Sequence, residues 1–160
     1  MSKILILPGD GIGEEVTKQC LKILDYLNAE TNYKFEYKEG LFGGASIDDC
    51  GKPLSNEVLD LAMESDAVLL GAVGGPKWES LDHNLKPEKG LLTLRKELGT
   101  FANLRPGKVF PALANASSLK SQILKGTDIF VVRELTGGIY FGEPRYSKII
   151  DKKRVASNPL

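Results

Sequence analysis

Short apolar runs set between stretches of helical period constrain this chain more than any other feature. Ile4 to Leu7, Lys34 to Tyr37 and Ala67 to Val73 read as strands. Between them lie helical patterns from about Glu14 to Leu27 and around Ser55 to Glu64. Strand and helix in alternation predict α/β layers around a largely parallel sheet. In the first helix Val16, Cys20, Ile23, Leu24 and Leu27 recur at helical spacing, and they are expected to form its packed face. Ser55, just after Pro53 and Leu54, is placed to cap the second helix.

The first strand runs into a glycine-rich turn, Gly9-Asp10-Gly11-Ile12-Gly13, which invites comparison with a dinucleotide-binding loop. The G-x-G-x-x-G spacing requires a third glycine at position 14, and this chain has Glu14 followed by Glu15. Two carboxylates in a first helical turn suit the helix dipole but repel a pyrophosphate. The turn is therefore read as structural, and the fold as something other than a Rossmann fold.

Composition excludes more than it identifies. With 21 basic and 21 acidic side chains the formal charge is zero, so no global field draws the chain to nucleic acid or an anionic membrane. Any anion binding has to be local. Cys20 and Cys50 lie far apart with no CxxC spacing, which favours a reduced protein over a disulfide scaffold or a thiolate metal site. The opening MSKILILPGDGIG has only four consecutive apolar residues before Pro8, too few for a signal sequence or a membrane span. A soluble, cytoplasmic protein is expected.

Local anion binding is what three arginines offer. Arg95 stands in GLLTLRK, Arg105 in FANLRPGKV and Arg133 in IFVVRELTGG. A guanidinium presents a rigid fork of donors that matches a carboxylate bidentately, so converging arginines would clamp a small di- or tricarboxylate. Arg133 follows Ile129, Phe130, Val131 and Val132, a run that suits a strand buried on both faces, with the cation at its carboxyl end. If a helix follows Pro87, then Glu88, Leu91, Leu92 and Arg95 share one face at i, i+3, i+4 and i+7. Arg105 is also compatible with an ordinary turn, given Asn103 and Pro106 beside it. Tyr140 sits between Gly137-Gly138 and Gly142, where a ligand could approach closely; a packed ring and a general acid both remain open. His83, the sole histidine, argues against a His-rich metal site and is expected on a surface loop. The basic run from Arg145 to Arg154 is expected to be a solvated loop.

PGDGIG, GAVGGPKW, GLLTLRK, FANLRP and VRELTGGIYFGEPR together resemble the β-decarboxylating dehydrogenases of the isocitrate/isopropylmalate dehydrogenase family, in order and over nearly the whole chain from Lys3 to about Arg145. The resemblance implies an α/β fold with a layered sheet and flanking helices. It also implies an oxidoreductase that takes a 2-hydroxy-3-carboxy acid, reduces NAD and releases carbon dioxide with the help of Mg²⁺ or Mn²⁺. Arg95, Arg105 and Arg133 would hold the substrate carboxylates, and Tyr140 would protonate the enolate. The segment from Gly75 to Glu88, with Gly75, Pro76, Lys77, Trp78 and Glu88, would lie against the nicotinamide end of the cofactor. Trp78 read alone could equally be a packed residue.

Within the family, relatives that act on isocitrate must satisfy a third carboxylate, and hydrocarbon around it would cost several kcal/mol. Leu91 and Leu92 suit an isopropyl group instead. The expected reaction is therefore oxidative decarboxylation of 3-isopropylmalate to 4-methyl-2-oxopentanoate, a step of leucine biosynthesis; isocitrate, homoisocitrate and tartrate are the alternatives, as is an inactive carboxylate-binding remnant. Family chains continue past the position of Leu160 and supply there the metal-binding aspartates, a lysine base, adenosine contacts and most of the homodimer interface. The chain is thus expected to be truncated, with residues 1–100 the first part of a large α/β domain and 101–160 the start of a second, dimerisation domain.

Overall fold

The computed structural model describes residues 1–135, 137 and 146–157, arranged as two units, Met1–Leu98 and Gly99–Leu160. In the first, strand β1 (Ser2–Gly9) is flanked by β2 (Phe35–Glu39) and β3 (Ala67–Ala72), both parallel to it, in the order β2-β1-β3. Ser2 pairs with Phe35 at one end of β1 and Gly9 with Ala72 at the other. A central strand covered on both faces cannot alternate apolar with polar, which is why Leu5, Ile6 and Leu7 run consecutively and are all exposed by 1% or less.

Leu5 and Leu7 join Phe42, Val58, Ala62 and Leu94 in the core of this unit. Two helices contribute to that cluster, α3 (Asn56–Met63) and α4 (Pro87–Glu97), and a shorter one, α2 (Gly44–Cys50), follows Phe42 in the chain. The expected Ser55 cap is present, its side chain accepting a hydrogen bond from the Val58 amide at 3.3 Å. Such a bond satisfies one of the amides that a helix start leaves without a partner. α4 begins with Pro87 in its first turn, where a missing N–H costs nothing.

Helix α1 (Ile12–Glu30) meets the sheet differently from expectation. Its buried residues are Gly13 and Thr17, whereas Val16 is 46% and Ile23 61% exposed. The cause is close approach: a Cβ on Gly13 would lie 2.1 Å from the Pro8 carbonyl, and one on Gly71 would lie 2.8 Å from Thr17 Oγ1. Seating the helix on its smallest side chains turns Val16 and Ile23 roughly 100 to 120° away from Thr17, while Cys20, Leu24 and Leu27 stay half-buried.

In the second unit β4 (Ala102–Lys108) pairs antiparallel with β5 (Asp128–Glu134), and β6 (Tyr146–Ile150) with β7 (Lys153–Ser157). A short helix, α5 (Ser121–Leu124), precedes β5. Two expectations change here. Ile129, Phe130, Val131 and Val132 do not lie in a strand buried on both faces; they are 48–62% exposed in a two-stranded ladder. The basic run up to Arg154 is a hairpin rather than a loop, turning through Asp151 and Lys152 at φ 48° and 63°. Positive φ at both central residues matches the twist of the flanking strands. An Asp-Lys pair lacks the glycine that normally announces such a turn.

Candidate substrate and cofactor site

In the first unit α4 carries Glu88, Leu91, Leu92 and Arg95 on one face, as the spacing requires. Glu88 is exposed, and Leu91, Leu92 and Arg95 are half-buried. The two leucines differ. Leu91 packs against the core cluster around Leu94, while Leu92 is not among the side chains packed on it.

Beyond the end of β3 the chain enters a one-turn helix, Pro76–Trp78. Gly74, at φ 94°, and the extended Gly75 lead into it. Glu88 reaches this segment, since a Cβ on Gly74 would stand 2.5 Å from Glu88 Oε1. Gly75, Pro76, Lys77 and Trp78 are thereby gathered beside the start of α4, and Trp78 is anchored to α2. Its indole covers Gly44 so closely that a Cβ there would lie 2.4 Å from the ring. Nε1 donates to Asp48 Oδ1 at 3.2 Å, and Lys77 pairs with Asp48 Oδ2 at 2.6 Å while its ammonium lies 5.3 Å from the centre of the indole. The hydrogen bonds from Lys77 first, and from Trp78 second, hold the Asp48 carboxyl below the usual carboxylate range.

Asp10 carries no mark of a site in the sequence, yet it is central to this region. The side chain is 4% exposed and accepts three backbone hydrogen bonds: from Gly44 at 2.9 Å and Gly74 at 2.7 Å through Oδ2, and from Ala45 at 2.8 Å through Oδ1. Its own amide donates to Ala72 at 2.7 Å. The glycine-rich turn around it thus binds protein backbone. The available signal was a carboxylate between two glycines at a strand end, which is the composition of an amide-gathering turn as much as of a phosphate loop.

In the second unit Arg105 faces Val131 across the β4–β5 ladder and Arg133 faces Asn103. Cross-strand partners share a face, and so do residues two apart, so Asn103, Arg105, Val131 and Arg133 stand together on one side. Arg105 lies within a strand, which removes the turn reading. Both arginines are exposed, and the Oδ1 atom of Asn103 beside them is buried without a hydrogen-bond partner. Tyr140 lies outside the described residues.

Among the described residues, no group of three or more His, Cys, Asp or Glu side chains is placed to hold a metal ion. At Gly74 and Gly75 the space a side chain would fill is taken by Glu88 Oε1, at 2.5 Å, and by the Trp78 ring, at 3.3 Å, so what this segment offers a flat polar ring such as a nicotinamide is the exposed Pro76 and Glu88. His83 is exposed in a one-turn helix, and Cys20 and Cys50 are free thiols.

A parallel sheet with helices packed against it, and a glycine-rich first turn that grips backbone, define an α/β protein whose first turn is not a dinucleotide-binding loop. The chain belongs to the isocitrate/isopropylmalate dehydrogenase family, whose model matches residues 3–158. It is 54% identical over 158 residues to the 3-isopropylmalate dehydrogenase of Aquifex aeolicus, covering 99% of this chain and 43% of that one. It is 55% identical over 152 residues to the 3-isopropylmalate dehydrogenase of Pseudomonas savastanoi, covering 94% and 42%. Among solved structures it resembles the β-decarboxylating dehydrogenase of Thermococcus kodakarensis, with a TM-score of 0.61 at 32% identity over 100% of this chain and 41% of that one. The isocitrate dehydrogenase of Methylococcus capsulatus shares the fold with a TM-score of 0.70 at 24% identity, over 99% and 42%. The chain therefore spans about two fifths of the length of these relatives. No helix among the described residues is long and apolar enough to cross a membrane.

Proposed function

We propose that this chain serves an NAD-dependent 3-isopropylmalate dehydrogenase, which converts 3-isopropylmalate to 4-methyl-2-oxopentanoate and carbon dioxide in leucine biosynthesis. The observation that carries the proposal is the 54% identity, over 99% of the chain, to a protein of that name. The face of α4 supports the choice of substrate. Its two leucines offer hydrocarbon where a third carboxylate would need donors, and an isopropyl group needs only apolar contact.

In this reading Arg95, Arg105 and Arg133 bind the malate carboxylates through bidentate guanidinium forks and fix the C2–H bond toward the cofactor. Leu91 and Leu92 receive the isopropyl group. Bound NAD supplies the hydride acceptor. Gly75, Pro76, Lys77, Trp78 and Glu88 line its nicotinamide end, with Glu88 as a polar contact. After the C3 carboxylate has left as carbon dioxide, Tyr140 donates its phenolic proton to C3 of the enolate and is reprotonated from solvent. The divalent metal, Mg²⁺ or Mn²⁺, finds its ligands outside the residues described. The working enzyme is a cytoplasmic homodimer to which residues 1–100 contribute the first part of the large domain and 101–160 the start of the dimerisation domain.

The test is NAD⁺ reduction by the protein purified at its native length from its source, with 3-isopropylmalate, isocitrate, homoisocitrate and tartrate compared. A clear preference in kcat/KM for 3-isopropylmalate is expected. Comparable values for isocitrate would overturn the assignment.

A further inference from the structure

We propose that Asp10 is a positioning residue for the nicotinamide side of the site: its buried carboxylate fixes both ends of the seat on which the Gly74–Trp78 segment rests. This rests on the reading that the segment faces the cofactor, but the clamp itself stands on geometry alone. One oxygen, Oδ2, receives amides from two separate stretches, Gly44 at the start of α2 and Gly74 just past β3, at 2.9 and 2.7 Å. The other receives Ala45 at 2.8 Å. Two short lines of contact then run from the carboxylate to Trp78. Along the chain, Gly74 and Gly75 lead straight into Pro76–Trp78. Through α2, Gly44 forms the surface against which the indole lies, and Asp48 of the same helix holds Trp78 Nε1 and the Lys77 ammonium.

The two ends of this arrangement differ in strength. The contacts of Asp48 are exposed to water and screened, whereas Asp10 is 4% exposed, with its bond from Gly44 buried and those from Ala45 and Gly74 partly buried, so water replaces them less readily. Asp10 is thus the fixed end of the clamp and Asp48 the yielding one. The surroundings admit only glycine at the crossing points. A Cβ on Gly43, whose φ is 70°, would lie 2.5 Å from Asp10 Oδ2, and one on Gly44 would enter the indole. The carboxylate, rather than packing of larger side chains, therefore sets where the segment sits.

Trp78 is the sole tryptophan of these 160 residues, and its emission, taken as the difference from a Trp78→Phe protein of the same length, reads the seat. The experiment compares Asp10→Asn and Gly44→Ala with the unaltered protein at its native length, by Trp78 emission and acrylamide quenching, circular dichroism, and KM for NAD⁺ and for 3-isopropylmalate. Asp10→Asn keeps the shape but turns one acceptor into a donor facing backbone amides. A red-shifted, more readily quenched Trp78 is expected, with KM for NAD⁺ raised about tenfold or more and KM for 3-isopropylmalate moved less than about twofold. Should Asp10→Asn fail to fold, Gly44→Ala dislodges the indole with Asp10 intact, and the same emission change and the same selective rise in KM are expected. Unchanged Trp78 emission in a folded Asp10→Asn protein would overturn the clamp. Displaced Trp78 with an unmoved KM for NAD⁺ would overturn the link to the cofactor. Absence of NAD⁺ turnover in the unaltered protein would count against the enzymatic reading, leaving the emission result to decide the clamp.

Discussion

Arg105 and Arg133 stand on the same face of the β4–β5 ladder, offset diagonally, with Arg105 opposite Val131 and Arg133 opposite Asn103. Diagonal neighbours across an antiparallel pair are about 7 to 8 Å apart at the backbone, within the joint reach of two long side chains. That separation suits two forks directed at the ends of one small dicarboxylate.

If so, charge alone should not suffice. Arg133→Lys keeps the cation and loses the bidentate fork, and kcat/KM for 3-isopropylmalate is expected to fall by well over tenfold, about 1.4 kcal/mol or more. Steady-state kinetics with an unchanged kcat/KM would remove Arg133 from the clamp.

Leu91 and Leu92, adjacent in sequence, should separate experimentally. Leu91 packs against the core cluster, so Leu91→Ser removes half-buried hydrocarbon and leaves a hydroxyl there; a stability loss of about 1 kcal/mol or more is expected in denaturant titration. Leu92 stands outside that contact set. Leu92→Ser is expected to leave stability nearly unaltered and to erode preference for 3-isopropylmalate over isocitrate by roughly 1 to 3 kcal/mol. An unchanged kcat/KM ratio for the two substrates would remove Leu92 from the isopropyl contact.

The legible parts of the fold were those written in local pattern. β1 to β3, the Ser55 cap and the Pro87 start of α4 follow from apolar runs, a hydroxyl at a helix start and a proline without a donor. The phase of α1 was not legible, because the contacts that set it belong to Gly13, Thr17 and Gly71, and hydrophobic periodicity gives small residues no weight. The strand Asp128–Glu134 was legible as a strand but not in its burial. Its apolar run looks the same whether covered on two faces or on none. Asp10 was hidden for a related reason: its amide partners lie 34, 35 and 64 residues away.

The Asp48 contacts give a pH signature. The carboxyl is held below its ordinary value of 3.8 by hydrogen bonds from Lys77 and Trp78. A depressed carboxylate contributes stability that is fully present above its unfolded value and is lost as pH falls through the folded one. Trp78 emission is therefore expected to stay constant as pH falls toward 3.8 and to change only below that value. Asp48→Asn should abolish the low-pH step. A step centred above 3.8 in the unaltered protein would contradict the assignment of this ion pair.

Exposed hydrocarbon on the second unit leads to a prediction for the 160-residue chain produced by itself. Ile129, Phe130, Val131 and Val132 alternate between both faces of β5, and each is 48–62% exposed; Leu104 on the paired strand is 57% exposed. Among the described residues, the ladder of β4 and β5 has these two strands alone. Exposed apolar side chains of this kind favour association with another copy. Such a chain is expected to bind a hydrophobic dye and to sediment as a concentration-dependent mixture of species. Val132→Lys, placed on the face opposite Arg105 and Arg133, should reduce both signals while leaving the β4–β5 register intact. Analytical ultracentrifugation decides the matter: a single monomeric species over a tenfold range of concentration, with no dye bound, would show that these residues are covered in solution.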